Sequence, residues 1–210
     1  MPNYTLYYSP GSASLVVHWL LLELNAPHTL KLLNLAEAEH KQPNYLALNP
    51  AGVVPTLLVD GVPICESAAI IMVLADAHPD AGLAPALGTV ARGHYYQWIC
   101  LCVNVLMPAF RSWFYPSESI GDEAAVKANA QARIEAFWQR ADTHLAANGP
   151  FLLGAERSAA DFMLTMLMRW SRNMPKTADS WAALGQLAAN MKALPSFNAL
   201  YRIEELTEWA

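Results

Sequence analysis

The first 35 residues alternate between two short strand-like runs and one longer apolar segment. Residues 4–8 are rich in β-forming side chains, and this run is broken by Pro10 and Gly11. Residues 12–24 are strongly apolar over a length typical of a helix, and residues 29–35 carry the apolar positions of a second strand. The pattern predicts a β-α-β unit.

A hairpin and a helix are predicted next, after a mixed and mostly irregular stretch over residues 36–50. The Asp-Gly dipeptide at 60–61 is a hairpin turn signal between two apolar runs, residues 53–59 and residues 62–65. Residues 66–77 have the length and apolar content of a helix. The pattern therefore predicts a β-β-α unit after the β-α-β unit.

The remainder of the chain carries no strand signal and is predicted to be all-helical. A stretch rich in Pro, Gly and Ala over residues 79–88 is the best linker candidate between the two regions. We therefore expect two domains, an α/β domain of β-α-β-β-β-α type over residues 1–80 and an all-helical domain over residues 89–210.

Four helices are predicted in the second domain, over residues 89–115, 122–148, 158–174 and 179–194. Pro108 is expected to kink the first of them, because proline lacks an N–H and its ring clashes with the preceding turn. The tetrapeptide from Ser158 to Asp161 resembles a capping box at the start of the third.

Composition and charge exclude several classes of protein. The 210 residues are 54% hydrophobic and 15% charged, which predicts a folded core, and the net charge of −5 without a basic run argues against nucleic-acid binding. The uncharged stretch over residues 93–110 is interrupted by polar residues and a proline, so no membrane span is expected. No signal peptide is visible and the three cysteines lack framework spacing, so we expect a cytoplasmic protein.

A proline inside a predicted strand is the first candidate for chemistry. Pro55 removes a hydrogen-bond donor from the strand over residues 53–59, which makes the bond Val54-Pro55 a candidate for the cis form. The backbone N–H and C=O of Val54 would then be free to pair with a peptide-like ligand. The alternative is an ordinary edge-strand proline.

Two helix starts are further candidates. Glu66 and Ser67 open a predicted helix, where backbone N–H groups can hold a carboxylate and Glu66 can hold an ammonium group. The turn from Ser9 to Ser14 places three serine hydroxyls at another helix start, where a hydroxyl can donate to an anion. At both places the alternative is that the serines merely cap the helix.

Other chemistries lack a signal in this sequence. The six histidines have no HxxxH or HExxH spacing, so no metal site is predicted. The sequence also lacks a GxGxxG or P-loop pattern for nucleotide phosphates and a GxSxG elbow for a serine hydrolase.

The combination of these signals resembles the thioredoxin-like domain of glutathione S-transferases, and the all-helical remainder resembles their second domain. The likeness covers nearly the whole chain. Four motifs carry it: YYSPGSAS at residues 7–14, LLNLAEAEHKQPNYLALNPAGVVPTL at 32–57, Glu66-Ser67, and GAERSAADFMLTMLMRW at 154–170. The resemblance implies glutathione as co-substrate, a transferase activity of the kind used in detoxification, and a homodimer.

The serine turn is similar to that of delta- and theta-like members, in which the serine after Pro-Gly activates the glutathione thiol. That serine is Ser12 here, and we expect it to act as a hydrogen-bond donor to the thiolate and not as a base. The turn is also similar to that of the beta class, in which a cysteine falls on Ala13 and a serine on Ser14. Ser14 is therefore the second catalytic candidate, and the choice between Ser12, Ser14 and Ser9 stays open.

The resemblance also implies which residues bind glutathione: His40, Lys41, Val54, Pro55, Glu66 and Ser67. Val54 would pair with the cysteinyl backbone, and Glu66 with Ser67 would hold the γ-glutamyl end. His40 or Lys41 would lie near the glycine carboxylate.

Apolar and aromatic residues near the expected kink suggest a wall that binds a hydrophobic electrophile. The candidates, with a tyrosine of the first strand, are Tyr8, Met107, Phe110, Trp113 and Phe114. Ordinary core packing is the alternative for each of them.

The chain departs from the family pattern at four further positions. A histidine and a lysine of some beta-type members fall on Met107 and Pro108, and a histidine and an arginine of delta-type members fall on Gly52 and Ala68. These departures leave open a glutathione-dependent isomerase or peroxidase, a glutathione-binding protein without catalysis, or a protein-interaction module.

Overall fold

The computed structural model describes residues 2–210, which fold into two compact units. The first unit contains the chain up to Leu83 together with Lys192–Glu208, and the second spans Ala84–Met191. A four-stranded mixed sheet lies in the first unit, whereas the second is built from helices. The predicted class, a thioredoxin-like α/β domain followed by an all-helical domain, is confirmed.

The strands of the first unit form one sheet in the order β2-β1-β3-β4. They are β1 (Tyr4–Tyr8), β2 (His28–Leu32), β3 (Thr56–Val59) and β4 (Val62–Cys65). β1 pairs in parallel with β2 and antiparallel with β3, and β3 pairs antiparallel with β4. β3 begins only after Pro55, because a proline has no N–H for a ladder hydrogen bond.

The α-helices of the described residues are α1 (Leu15–Glu23), α2 (Pro43–Leu46), α3 (Ser67–Ala77), α4 (Val90–Leu101), α5 (Met107–Phe114), α6 (Glu123–Asn148), α7 (Ala159–Trp170), α8 (Ala182–Lys192) and α9 (Pro195–Ile203). Short α2 lies in the stretch that the pattern predicts to be mostly irregular. α1 is buried at every position from 15 to 21, as expected of a helix that is apolar all round. It packs against β1, α3 and α9.

α9 is a helix that the sequence pattern did not predict, and it packs with the first unit although it closes the chain. Phe197 stacks edge-on against Trp19 of α1, with ring centroids 5.2 Å apart. The Trp19 indole N–H donates to the Ser196 hydroxyl at 3.0 Å. The predicted boundaries at residues 80 and 89 stay a prediction, and the structure adds that the last helix returns to α1.

The predicted helix over residues 89–115 is present, since the chain is helical without a break from Val90 to Phe114, but its middle is irregular. α4 and α5 are separated by a π-helical turn over Cys102–Leu106, which precedes Pro108 in the first turn of α5. Pro108 has no N–H, so the α-helical hydrogen-bond ladder cannot continue through it. The wider π-helical turn accommodates this interruption.

The predicted capping box at the start of α7 is confirmed. The Asp161 carboxylate accepts hydrogen bonds from the backbone N–H groups of Leu152 and Ser158, at 2.8 Å each, and from the Ser158 hydroxyl at 3.0 Å. Asp161 is fully buried. Burial raises the pKa of its carboxyl group to about 6, although the three donors act in the opposite direction.

Replacing Asp161 with Asn should remove a pH-dependent part of the folding free energy. Because the pKa is higher in the folded than in the unfolded chain, this group favours folding below about pH 4, and the contribution is lost as the pH rises through about 6. The two-unit difference corresponds to about 3 kcal/mol. Urea denaturation at pH 4.5 and 7 should therefore show a larger loss for Asp161→Asn at the lower pH. An equal loss at both pH values contradicts the prediction, and exposed Asp80→Asn is the control.

Candidate functional site

Three loop segments that the sequence singles out meet at one edge of the sheet. Tyr7 at the end of β1 pairs with Thr56 at the start of β3, and Thr56 pairs with Cys65 at the end of β4. The serine turn after β1, the Val54-Pro55 bond before β3 and Glu66 after β4 therefore follow one another across three adjacent strands. Strands lie about 4.8 Å apart, so this row spans about 10 Å, which is the length of an extended tripeptide.

The serine turn is held together by its own hydroxyl and carbonyl groups. The hydroxyls of Ser12 and Ser14 lie 2.8 Å apart, and both lie within hydrogen-bond distance of the Ser9 carbonyl, at 2.7 Å and 3.0 Å. The Ser14 N–H donates to the Ser12 hydroxyl at 3.2 Å. Gly11 has a φ of 67°, a left-handed conformation that glycine adopts without a Cβ clash. This residue gives the turn its sharp change of direction before Ser12.

The two candidate serines differ in exposure. Ser14 is fully buried, and it also accepts from the Ser9 N–H at 3.2 Å. Ser12 is half-buried, so its hydroxyl is the one of the pair that a ligand can reach. Ser14, which directly precedes α1, makes no side-chain cap to the helix, whereas the Ser12 hydroxyl accepts from the Ser14 N–H.

The Val54-Pro55 bond, a candidate for the cis form, is cis in the structure. A buried polar cluster holds the loop: the Tyr45 hydroxyl donates to the Val53 carbonyl at 2.6 Å, and the Asn49 amide donates to the same carbonyl at 2.8 Å. Among residues 2–210, the backbone N–H and C=O of Val54 have no hydrogen-bond partner. These two groups are the ones that an added strand or peptide would use.

The start of α3 has backbone N–H groups that no side chain caps. Glu66 precedes the helix with a φ of 70° and a ψ of 113°, an uncommon backbone conformation for a residue with a side chain. No side chain caps this helix, and the Ser67 hydroxyl has no partner within residues 2–210. The alternative that Ser67 caps the helix is therefore wrong. Uncapped N–H groups and the positive end of the helix dipole favour an anion here.

His40 and Lys41 lie in the loop that follows β2 at the same edge of the sheet. The Lys41 ammonium group donates to the carbonyl of Gly52 at 2.7 Å, which joins this loop to the segment before Val54. Lys41 is exposed and His40 is half-buried. The role of either residue at a glycine carboxylate stays a prediction.

The predicted electrophile wall is divided between core and surface. Phe110 is fully buried and stacks on Phe114 with ring centroids 5.8 Å apart, so it supports Phe114 from within the second unit. Phe114 is 44% exposed, and Met107 and Trp113 are half-buried. Tyr8 is buried in the first unit, and its ring centroid lies 5.7 Å from that of His18. Burial raises the pKa of the Tyr8 hydroxyl, and the negative charges of Glu204 and Glu205 raise it further.

Sequence reasoning missed two buried polar residues beside the serine turn. His18 and Glu204 lie 2.8 Å apart, and Glu204 also accepts from the Gly11 N–H at 2.9 Å. A signal for His18 was present, because a lone histidine in a wholly apolar helix requires a buried polar partner. Glu204 had no such signal, since it stands in an ordinary polar segment next to a second glutamate.

Neither a cluster of metal-ligating side chains nor a helix able to span a membrane is found among residues 2–210. Among residues 2–210, no three His, Cys, Asp or Glu side chains are grouped so that they could hold a metal ion. No helix in the same range combines the length and apolar character needed to cross a membrane. The three cysteines are free thiols, of which Cys100 is exposed.

Comparison with known proteins identifies the family. Residues 12–77 match the model of the glutathione S-transferase N-terminal domain, and residues 104–201 match that of the C-terminal domain. A glutathione S-transferase of Xanthomonas campestris, GST-4.5, is 29% identical over 204 residues, which is 96% of this chain and 98% of that protein.

Solved structures of the same fold match nearly the whole chain. The glutathione S-transferase from Xylella fastidiosa is 30% identical with a TM-score of 0.87, over 97% of this chain and 100% of that one. A sphingomonad glutathione S-transferase complexed with glutathione is 29% identical with a TM-score of 0.86, over the same shares. The chain therefore belongs to the glutathione S-transferase family.

Proposed function

We propose that this glutathione S-transferase binds glutathione along the three-strand edge and activates its thiol with the Ser12 hydroxyl. The observation that carries the proposal is a row of polar groups at that edge: the uncapped start of α3 and the free backbone of Val54, which are unpaired, and the accessible Ser12 hydroxyl, which is hydrogen-bonded within its own turn. Their spacing of about 10 Å suits one extended tripeptide.

Each part of glutathione has a matching group in this arrangement. The γ-glutamyl carboxylate would take the N–H groups at the start of α3, and its ammonium group would pair with the exposed Glu66 carboxylate. The cysteinyl N–H and C=O would pair with Val54, which sets the sulfur toward the next strand and its serine turn. Lys41 would stand nearest to the glycine carboxylate.

Thiol activation needs a modest free energy. A free thiol has a pKa of about 8.5, so about 3% is thiolate at pH 7. Lowering the pKa by about two units requires about 2.7 kcal/mol. A hydrogen bond to a charged group contributes about 1.5–3 kcal/mol, and the field of a helix start adds about 0.3–1 kcal/mol. Ser12 and the start of α1 together reach this value.

The hydrogen bonds of Ser14 leave the Ser12 hydroxyl able to donate a hydrogen bond to the thiolate sulfur. Ser14 can satisfy the Ser9 carbonyl at 3.0 Å with its own hydroxyl proton. The Ser12 hydroxyl then accepts from the Ser14 N–H and donates its proton to the thiolate. Ser12 never needs to ionise.

The reaction is nucleophilic attack by the glutathione thiolate on a hydrophobic electrophile. A sulfur–carbon bond forms, and the leaving group departs with its electron pair, or the adjacent carbon takes up a proton in an addition. Phe114, Trp113 and Met107 are accessible apolar residues of the second unit that would contact the electrophile. Ala13 stands where beta-class members have cysteine, which disfavours chemistry through a protein thiol.

The same proposal includes the oligomeric state, the cellular compartment and the biological role of the protein. Membership of the glutathione S-transferase family supports a homodimer. The free thiols support a reducing compartment, the cytoplasm. Conjugation of hydrophobic electrophiles would serve detoxification.

Replacing Ser12 with Ala should raise the pKa of the bound glutathione thiol by about 1–2 units, because one hydrogen bond to the thiolate is lost. Ultraviolet titration of the thiolate in the complex measures this, and the conjugation rate below pH 7 should fall in parallel. Ser9→Ala is the matched control, since only the backbone of Ser9 takes part in the network. Unchanged pKa and rate in Ser12→Ala, with both lost in Ser14→Ala, would make Ser14 the activating residue.

Replacing Glu66 with Gln should weaken glutathione binding about tenfold, because the substrate ammonium group loses its charged partner while the side-chain length is kept. Isothermal calorimetry with glutathione measures the change. Exposed Glu37→Gln is the control for the loss of one negative charge. Equal affinities for Glu66→Gln and wild type would remove Glu66 from the site.

A further inference from the structure

Glu204 connects the two sides of the serine turn. One carboxylate oxygen accepts from the Gly11 N–H at 2.9 Å, and the other accepts from His18 Nδ1 at 2.8 Å. Gly11 stands directly before Ser12, and His18 lies in the first turns of α1 after it. A single carboxylate therefore fixes the distance between the turn and the helix on which Ser12 depends.

The pair is closed off from water. The side chains of His18 and Glu204 are both fully buried, and His18 Nε2 has no partner among the described residues. A buried carboxylate stays in place because moving it away from its donors would leave it unpaired in an apolar surrounding. Burial raises the pKa of the nearby Tyr8 hydroxyl, and the negative charge of Glu204 raises it further.

α9 supplies a rigid support for Glu204. The carboxylate stands at the end of α9, and the start of that helix is tied to α1 through Ser196, which accepts from Trp19 and donates to Glu23. The two ends of α9 are thus held to α1 by separate polar contacts. The end with Glu204 contacts the serine turn through Gly11.

We propose that Glu204 is a positioning residue for thiol activation, which holds Ser12 at the correct place relative to the start of α1. This inference rests on the proposed role of Ser12. Gly11 is half-exposed, so its N–H can bond to water when the carboxylate is lost. The turn then shifts without unfolding, and a displacement of about 1 Å at a reacting group can cost about 100-fold in rate.

The test compares three variants at a temperature well below unfolding. Glu204→Gln replaces one carboxylate oxygen with an amide NH2 group, so Gly11 and His18 can no longer both donate to this side chain. Neighbouring Glu205→Gln makes the same charge change at an exposed side chain. Ser196→Ala breaks the other polar tie between α9 and α1, and so reports the effect of lost stability alone.

The readouts are the melting temperature, the pKa of the bound glutathione thiol, kcat, and KM for glutathione. Glu204→Gln should raise the thiol pKa by about one unit and lower kcat at pH 6.5 about tenfold, with KM nearly unchanged. Ser196→Ala should lower the melting temperature and leave the thiol pKa as in wild type, and Glu205→Gln should change neither. A wild-type thiol pKa in Glu204→Gln, or the same rise in Ser196→Ala, overturns the positioning role.

Two further measurements keep the outcome decisive. If Glu204→Gln does not fold, Glu204→Asp takes its place. Amide hydrogen exchange at Gly11 should then be faster in the variant than in wild type. Unchanged exchange together with an unchanged thiol pKa overturns the inference. Wild-type protein that binds no glutathione, or binds it without thiolate at pH 7, refutes the proposed function itself. If the wild type forms the thiolate and the Glu204 variant has the same thiol pKa, only the positioning role is refuted.

Discussion

The antiparallel pairing of β1 with β3 is the interaction on which the candidate site depends. It sets Tyr7 opposite Thr56, and the pairing of β3 with β4 continues the row to Cys65. A slip of one residue would turn every side chain of the strand to the opposite face, so the buried apolar positions of β1 and β3 enforce this register. The same register brings the serine turn, Val54 and Glu66 to one edge.

The site is built from backbone groups that the fold leaves unpaired. α1 and α3 both begin without a side-chain cap, and the backbone of Val54 pairs with no other described residue. Each omission costs stability, since a cap is worth about 1 kcal/mol. The surrounding contacts offset this cost, among them the Tyr45 and Asn49 bonds that hold the neighbouring Val53 carbonyl. A tripeptide ligand would complete the hydrogen bonding that the chain alone does not.

The first unit is closed by a segment that is distant in sequence. α9 packs on α1, and its last turn places Glu204 under the serine turn. The geometry of the serine turn, near the start of the chain, is therefore tied to a residue near its other end. The second unit has a separate set of accessible aromatic residues, in which Phe114 packs against buried Phe110 and half-buried Trp170.

Periodicity and turn chemistry by themselves determined the α/β then all-helical order, the hairpin at Asp60-Gly61, the capping box at Asp161 and the cis candidate at Pro55, because each depends on residues within a few positions of one another. Local pattern could also nominate Ser12, Ser14, Glu66 and Val54, but it could not rank the two serines. Burial decided their difference, and burial is set by packing against distant elements. The return of α9 to α1 and the Glu204 contact with Gly11 were decided only by tertiary structure. The reason is that a hydrogen bond between residues 193 positions apart produces no periodic pattern in the sequence from which it could be predicted.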